Sequence, residues 1–186
     1  MKLTKRGQIV GSLLAGVIVG LGLLFVYLLR FHTYLGDESS ACMNCHIMSP
    51  YYATWDHSSH ALNTTCNDCH VPHENFVRKW AFKGADGMRH VAAFMTSSEE
   101  QVIQATEASS SVIMDNCIRC HEQLNTEFVK TGRIDYMAAQ AGEGKACWDC
   151  HRDVPHGGKN SLSSTPASIV PYTQAAAPEW LRKLVK

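Results

Sequence analysis

Residues 41–61 read ACMNCHIMSPYYATWDHSSHA, and the five at 42–46, CMNCH, decide the fold. The pattern returns as CNDCH at 66–70, CIRCH at 117–121 and CWDCH at 147–151. Cys42, Cys45, Cys66, Cys69, Cys117, Cys120, Cys147 and Cys150 thereby account for all eight cysteines. At this composition chance supplies about 0.02 copies in the whole chain, so the repetition marks c-type haem attachment. The spacing has a mechanical reason. Two thiols three positions apart each form a thioether to a haem vinyl group, while the adjacent histidine reaches the iron. Four c-type haems are the implied cofactors. A zinc ribbon uniting Cys45 and Cys66, or redox and disulfide pairs, would also use Cys-x-x-Cys, but neither has a use for a histidine after every pair.

Toward the N-terminus, residues 9–29, IVGSLLAGVIVGLGLLFVYLL, run 21 positions without a charge. At 1.5 Å per residue such a helix crosses a hydrocarbon layer about 30 Å thick. Lys2, Lys5 and Arg6 precede the run and Arg30 alone follows it closely, so the N-terminus is cytoplasmic and the bulk of the chain faces the periplasm. A cleaved signal peptide is the competing reading, but its apolar region spans only about 7–15 residues and ends at small ones. This run is longer and leads into Tyr27, Arg30, Phe31, His32 and Tyr34, an edge suited to lipid headgroups. A retained anchor is the expectation.

The fold class expected is mainly α: a cytoplasmic N-terminus at 1–8, a single transmembrane helix at 9–29, a compact multihaem domain with long loops at 30–160, and an extended C-terminal tail at 161–186. The formal net charge of the 186 residues is zero, which gives no basic footprint for nucleic acid. The hydrophobic fraction of 45% is partly spent on the anchor, so the macrocycles must fill much of the core.

Four six-coordinate irons need more axial ligands than the motif histidines supply. His32, His57, His60, His73, His90 and His156 lie outside the motifs. His57 and His60 read as sharing one helical turn, and His156, just beyond Pro155, as able to swing toward a neighbouring haem. In the first motif Met48 follows His46 too closely for both to bind opposite faces of one iron. Either Met48 competes for that position, where a thioether raises the potential, or it packs against the macrocycle as a soft apolar contact.

Residues 75–95 read as a helix on which Lys83, Asp86 and His90 share a face. They are either a salt-bridged solvent face or a cation, carboxylate and imidazole gathered to take the protons that quinol oxidation releases. Residues 97–111 read as a polar connection with some helix, 157–178 as extended, and the closing EWLRKLVK as a short basic amphipathic turn. No phosphate loop or nucleophile elbow is present in the sequence.

The anchor, ACMNCHIMSPYYATWDHSSHA, CNDCHVPH, FKGADGMRH, CIRCH and CWDCHRDVPHG together resemble the NapC/NirT family of membrane-anchored tetrahaem cytochromes c, over nearly the whole chain, and within it the small subunits of cytochrome c nitrite reductases. The resemblance implies that Met48, rather than His46, ligates the first haem. It also implies that His70, His121 and His151 are proximal ligands and that His60 and His156 are distal ones. Lys83 matches a lysine of the family's quinol pocket, Asp86 an Asp-Gly pair found in some relatives, and His90 a place where others carry Asp. One haem of such subunits can take its last ligand from the partner.

The function so implied is oxidation of menaquinol and transfer of the electrons to a multihaem nitrite reductase catalytic subunit, within a larger complex. The rivals are a general quinol dehydrogenase feeding nitrate, fumarate or trimethylamine oxide reductases, a terminal reductase of nitrite or hydroxylamine, and a passive electron store.

Overall fold

The computed structural model describes residues 4–100, 102–154, 156 and 179–184. Among them the regular structure is helical, with one isolated parallel bridge, Ile134 to Lys145, and no strand. Helix α1, Lys5–Leu28, begins one turn before the uncharged run, at an N-cap Thr4 whose hydroxyl accepts from Gly7 N. Its side chains lie exposed along its length, as suits a helix whose solvent is lipid.

The chain from α1 to Asn44 belongs to one compact unit, and the described residues from Cys45 to His156 to another. In the first, α1 is closed by Arg30 at φ 54°, the left-handed region that costs a side-chain-bearing residue about 1–2 kcal/mol. Local bonds hold it there. Arg30 Nη1 donates to Asn44 Oδ1 at 3.1 Å, Thr33 Oγ1 donates to the Arg30 carbonyl at 2.8 Å, and Asn44 Nδ2 donates to Thr33 Oγ1 at 3.0 Å. Asn44, inside CMNCH, is thus tied to the end of the anchor.

The second unit holds α2 (Ser49–Asp56), α3 (Cys66–His70), α4 (Phe76–Thr96), α5 (Glu107–Lys130), α6 (Tyr136–Gln140) and α7 (Cys147–Cys150). The second and fourth motifs are themselves short helices. Each is capped by its own third residue: Asp68 Oδ2 accepts from Thr65 N at 2.7 Å, and Asp149 Oδ2 accepts from Ala146 N at 2.8 Å. The third motif lies within α5, which departs from helical geometry at His121 (φ −109°, ψ 22°). The kink turns the last residue of CIRCH off the helix line.

The apolar core is small. Met114, Tyr136 and Ala146 are buried together, with Ile118, Ile134, Cys147 and Trp148 packed against them, so the third and fourth motifs share it. The second and third are joined by polar atoms. Buried Asn116 donates through Nδ2 to the carbonyls of Cys69 and Val71, each at 2.9 Å. Its Oδ1 accepts from Arg119 Nε at 3.2 Å, and Arg119 Nη2 reaches the Asp68 carbonyl at 3.2 Å. Near the fourth motif, a Cβ on Gly144 would sit 2.8 Å from that of Ala138, so the turn leading to it requires glycine there.

Two expectations change in detail. Helix α2 ends at Asp56 with His57 as its C-cap, so His57 and His60 do not share a turn. The helix read at 75–95 runs Phe76–Thr96, Asn75 being its cap. The tail at 157–178 lies outside the described residues, while part of EWLRKLVK forms α8, Glu179–Leu184.

Losing Asn116 strands two carbonyls. Asn116→Ala is expected to destabilise the holoprotein by about 2–4 kcal/mol, read as a lowered thermal midpoint in detergent, whereas Glu122→Ala on the exposed side of α5 should leave it unchanged.

Candidate haem-binding site

The histidines sort themselves by what their ring nitrogens already hold. His57 Nδ1 lies 2.7 Å from the Ala53 carbonyl and His73 Nε2 3.1 Å from the Asn67 carbonyl. A carbonyl only accepts, so each ring spends its N–H on nearby backbone. His32 stacks on Tyr27 with ring centroids 6.1 Å apart, and His90 Nε2 faces Asp86 Oδ2 at 3.3 Å. His60 and His156 instead meet motif histidines.

Ring centroids are 6.2 Å apart for His60 and His121, and again 6.2 Å for His70 and His156. Two imidazoles on opposite sides of one metal, bound at about 2.0–2.1 Å each, place their centroids about 6.3 Å apart. Both pairs fit a metal held between the rings. His156 Nδ1 lies 2.9 Å from the Tyr51 carbonyl and must donate to it, which leaves Nε2 with its lone pair available. The same atom lies 3.3 Å from Thr54 Oγ1, so the helix following the first motif orients a ring that faces the second.

Burial disfavours the charged form of His70 and His156, and metal ligation uses the neutral ring. Desolvation is the main cause that pushes His70 down to about 4; His156 beside it adds to the effect, Asp86 opposes it, and His90 lowers it slightly. His156 is lowered by burial against a bond to Tyr51 that raises it. Two buried polar atoms, Trp55 Nε1 and His60 Nδ1, have no protein partner, an arrangement expected where a non-polypeptide group completes the interior.

Burial disfavours the thiolate form at four of the motif cysteines. Burial pushes Cys117 up to about 12, with Cys147, to which it hydrogen-bonds, adding to the rise, and burial likewise raises Cys45, Cys69 and Cys147. A site that disfavours thiolate suits sulfur held as a neutral thioether. The hydrogen bond between Cys117 and Cys147 brings the third and fourth motifs together, and Cys120 of the third is near enough to influence Cys69 of the second.

In the first motif Cys45 precedes a 3₁₀ turn, His46–Met48, closed by a 3.0 Å bond from Met48 N to the Cys45 carbonyl. Met48 is half-buried, whereas His46 is exposed. At the fourth motif His151 is exposed, and among the described residues no second imidazole is paired with it.

On α4, Asp86 Oδ1 accepts from Arg89 Nη2 at 2.7 Å, and Lys83 Nζ sits 5.3 Å from the centre of the Trp80 ring. The His90 hydrogen bond, then Arg89, holds the Asp86 carboxyl down to about 2 against the opposing effect of its burial. Asp86 and His90 are near enough to influence His70. Asp86 and His90 thus pair with each other near a haem-ligand candidate, while Lys83 is placed over Trp80.

Sequence reading missed the third residue of each motif. Asn44, Asp68, Arg119 and Asp149 each anchor their own attachment turn. The signal was Asp at the N3 position of CNDCH and CWDCH, the place a helix cap takes.

Residues 4–161 match the family model described as NapC/NirT cytochrome c family, N-terminal region. The cytochrome c-type protein NrfH of Wolinella succinogenes is 36% identical over 172 residues, covering 90% of this chain and 97% of that protein. The cytochrome c nitrite reductase subunit NrfH of Nitratidesulfovibrio vulgaris is 35% identical over 136 residues, 73% of this chain and 78% of that protein. Among solved structures, the cytochrome c nitrite reductase NrfHA complex bound to the HQNO inhibitor contains a chain that aligns at a TM-score of 0.56 and 30% identity, over 89% of this chain and 99% of that one. Motifs, imidazole pairs and these likenesses agree: the chain belongs to the NapC/NirT cytochrome c family and is a membrane-anchored, haem-bearing electron-transfer protein.

Proposed function

We propose that this protein oxidises menaquinol at the membrane and delivers the electrons to the periplasmic catalytic subunit of a cytochrome c nitrite reductase, which turns nitrite into ammonia. One observation carries the proposal: the Asp86–His90 pair lies beside the ligand candidate His70. Quinol oxidation needs a proton acceptor and an electron acceptor at the same place. The likeness to nitrite reductase subunits supports the choice of partner.

Four c-type haems, one on each Cys-x-x-Cys-His, supply an electron path and take no proton themselves. The chain's own residues do the rest. The ring distances favour His70 with His156 on the second haem and His121 with His60 on the third. Met48, half-buried where His46 is exposed, would hold the iron of the first. The exposed His151 is left to share its haem with a ligand from the partner subunit.

At the quinol edge Lys83 offers a cation to a quinol oxygen. His90 takes the proton, and Asp86, ionised down to about pH 2, stabilises the imidazolium that forms. Asp86 therefore stays charged at every physiological pH and serves as a fixed counter-charge rather than as the proton carrier. The orientation that puts this edge in the periplasm follows from the positive charges ahead of α1.

Anaerobic stopped-flow mixing of the detergent-solubilised protein with a menaquinol analogue should reduce the haems rapidly. Lys83→Ala and His90→Gln should each slow that reduction about 10–100-fold with haem content and dithionite reduction intact. Full rates in both variants would overturn the assignment.

Met48→Leu should abolish the sulfur-to-iron charge-transfer band and lower the potential of one haem, whereas His46→Ala should keep the band. The reverse pattern would assign the first haem to His46.

A further inference from the structure

We propose, resting on the pairing of His70 with His156 on one iron, that Tyr51 and Thr54 are positioning residues for His156, fixing its ring plane and lowering the reduction potential of the haem it serves. They act on the back of the ring, the side turned away from the metal.

Three contacts hold that side. His156 Nδ1 donates to the Tyr51 carbonyl at 2.9 Å, and Thr54 Oγ1 lies 3.3 Å from the same nitrogen. The Tyr51 ring meets the His156 ring edge-on, at 78° with centroids 5.8 Å apart. Thr54 has one hydroxyl hydrogen, for which the carbonyls of Pro50 at 2.8 Å and Tyr51 at 3.1 Å compete, so its oxygen faces His156 as an acceptor. The holder is itself secured. Tyr51 and Thr54 lie within α2, and Tyr51 Oη donates to the Ile103 carbonyl at 2.8 Å. His156 belongs to no helix, so these contacts, rather than regular backbone, set the direction of its ring.

The other imidazole pair is built differently. His60 Nδ1 is buried with no protein partner. The ring planes differ as well, crossing at 47° for His70 and His156 and at 75° for His60 and His121.

Two physical effects follow. An N–H given to an acceptor leaves more electron density on the ring, which makes the opposite nitrogen a stronger donor and favours oxidised iron. The ring planes decide how the two π-type d orbitals of the iron split. Each imidazole raises the orbital perpendicular to its own plane, so parallel rings separate the two orbitals and perpendicular rings leave them nearly equal. The pair at 47° should therefore give the more rhombic low-spin ferric spectrum, and the pair at 75° the more anisotropic one.

Helix α2 begins directly after Met48, and His156 lies five residues past His151. Residues adjoining the first and fourth attachment motifs thus tune the haem of the second.

The test uses the full-length holoprotein in detergent, oxidised for electron paramagnetic resonance and titrated electrochemically on the haem α-band. The wild type should show two distinct bis-imidazole signals, and one coincident signal would overturn the proposal without any variant. Thr54→Val, close in shape but without the acceptor, should shift the more rhombic signal and raise the midpoint of one haem, with haem content and the more anisotropic signal unchanged. Thr54→Ser should restore both values. Wild-type signals and midpoints in Thr54→Val would overturn the positioning role. So would displacement of both signals, or a Thr54→Ser protein that stays shifted, since either marks a general loosening of the fold. Absence of any bis-imidazole signal in the wild type would overturn the pairing and this proposal with it. No readout involves quinol, so failure here leaves the quinol reading standing.

Discussion

The buried amide of Asn116, donating at 2.9 Å to the carbonyls of Cys69 and Val71, is the bond on which the arrangement of the second and third motifs depends. Electron transfer between haems needs attachment points held at fixed separation, and a hydrophobic core would normally hold them. Here the core gathers around Met114, Tyr136 and Ala146 and does not extend beneath every motif. A two-donor polar bridge fixes position and direction together, which apolar packing of a few side chains does less sharply. It is also placed one residue before Cys117, so a shift of α3 against α5 would be felt at once by both attachment turns.

The same economy recurs within each motif. Cys-x-x-Cys-His leaves two free positions, and the second of them is used in every copy to secure the turn: Asp68 and Asp149 as helix caps, Arg119 as a strut to the Asp68 carbonyl, Asn44 as the clasp on Arg30. The clasp helps hold Arg30 at its positive φ, so strain at the end of the anchor is offset by bonds to the first motif. Haem attachment and membrane anchoring are thus coupled within a few residues.

Much of this was legible in the sequence because covalent chemistry fixes spacing. Cys-x-x-Cys-His admits one main reading, and an uncharged run as long as α1 admits two. The helix of α4, with Lys83, Asp86 and His90 on one face, was also visible, since periodicity is a local property. Long-range pairing was not. Nothing near His60 announces His121, and nothing near His70 announces His156, because the chain brings them together through α5's kink at His121 and through the Tyr51 carbonyl that orients His156. The failure to keep His57 and His60 on one turn has a similar cause. Helix α2 stops when its C-cap His57 folds its ring back onto the Ala53 carbonyl, a choice made by one hydrogen bond rather than by hydrophobic period.

Helix α4 has two unlike sides. Its Asp86–His90 side is polar and near His70, and in the proposed reaction a proton acceptor that drifted from the electron acceptor would lose coupling between the two transfers. Its opposite side carries Val77, Met88 and Met95, exposed and without use in water. In the proposed reaction the Asp86–His90 side is the one that acts, since proton acceptor and haem-ligand candidate then meet across the width of a single helix.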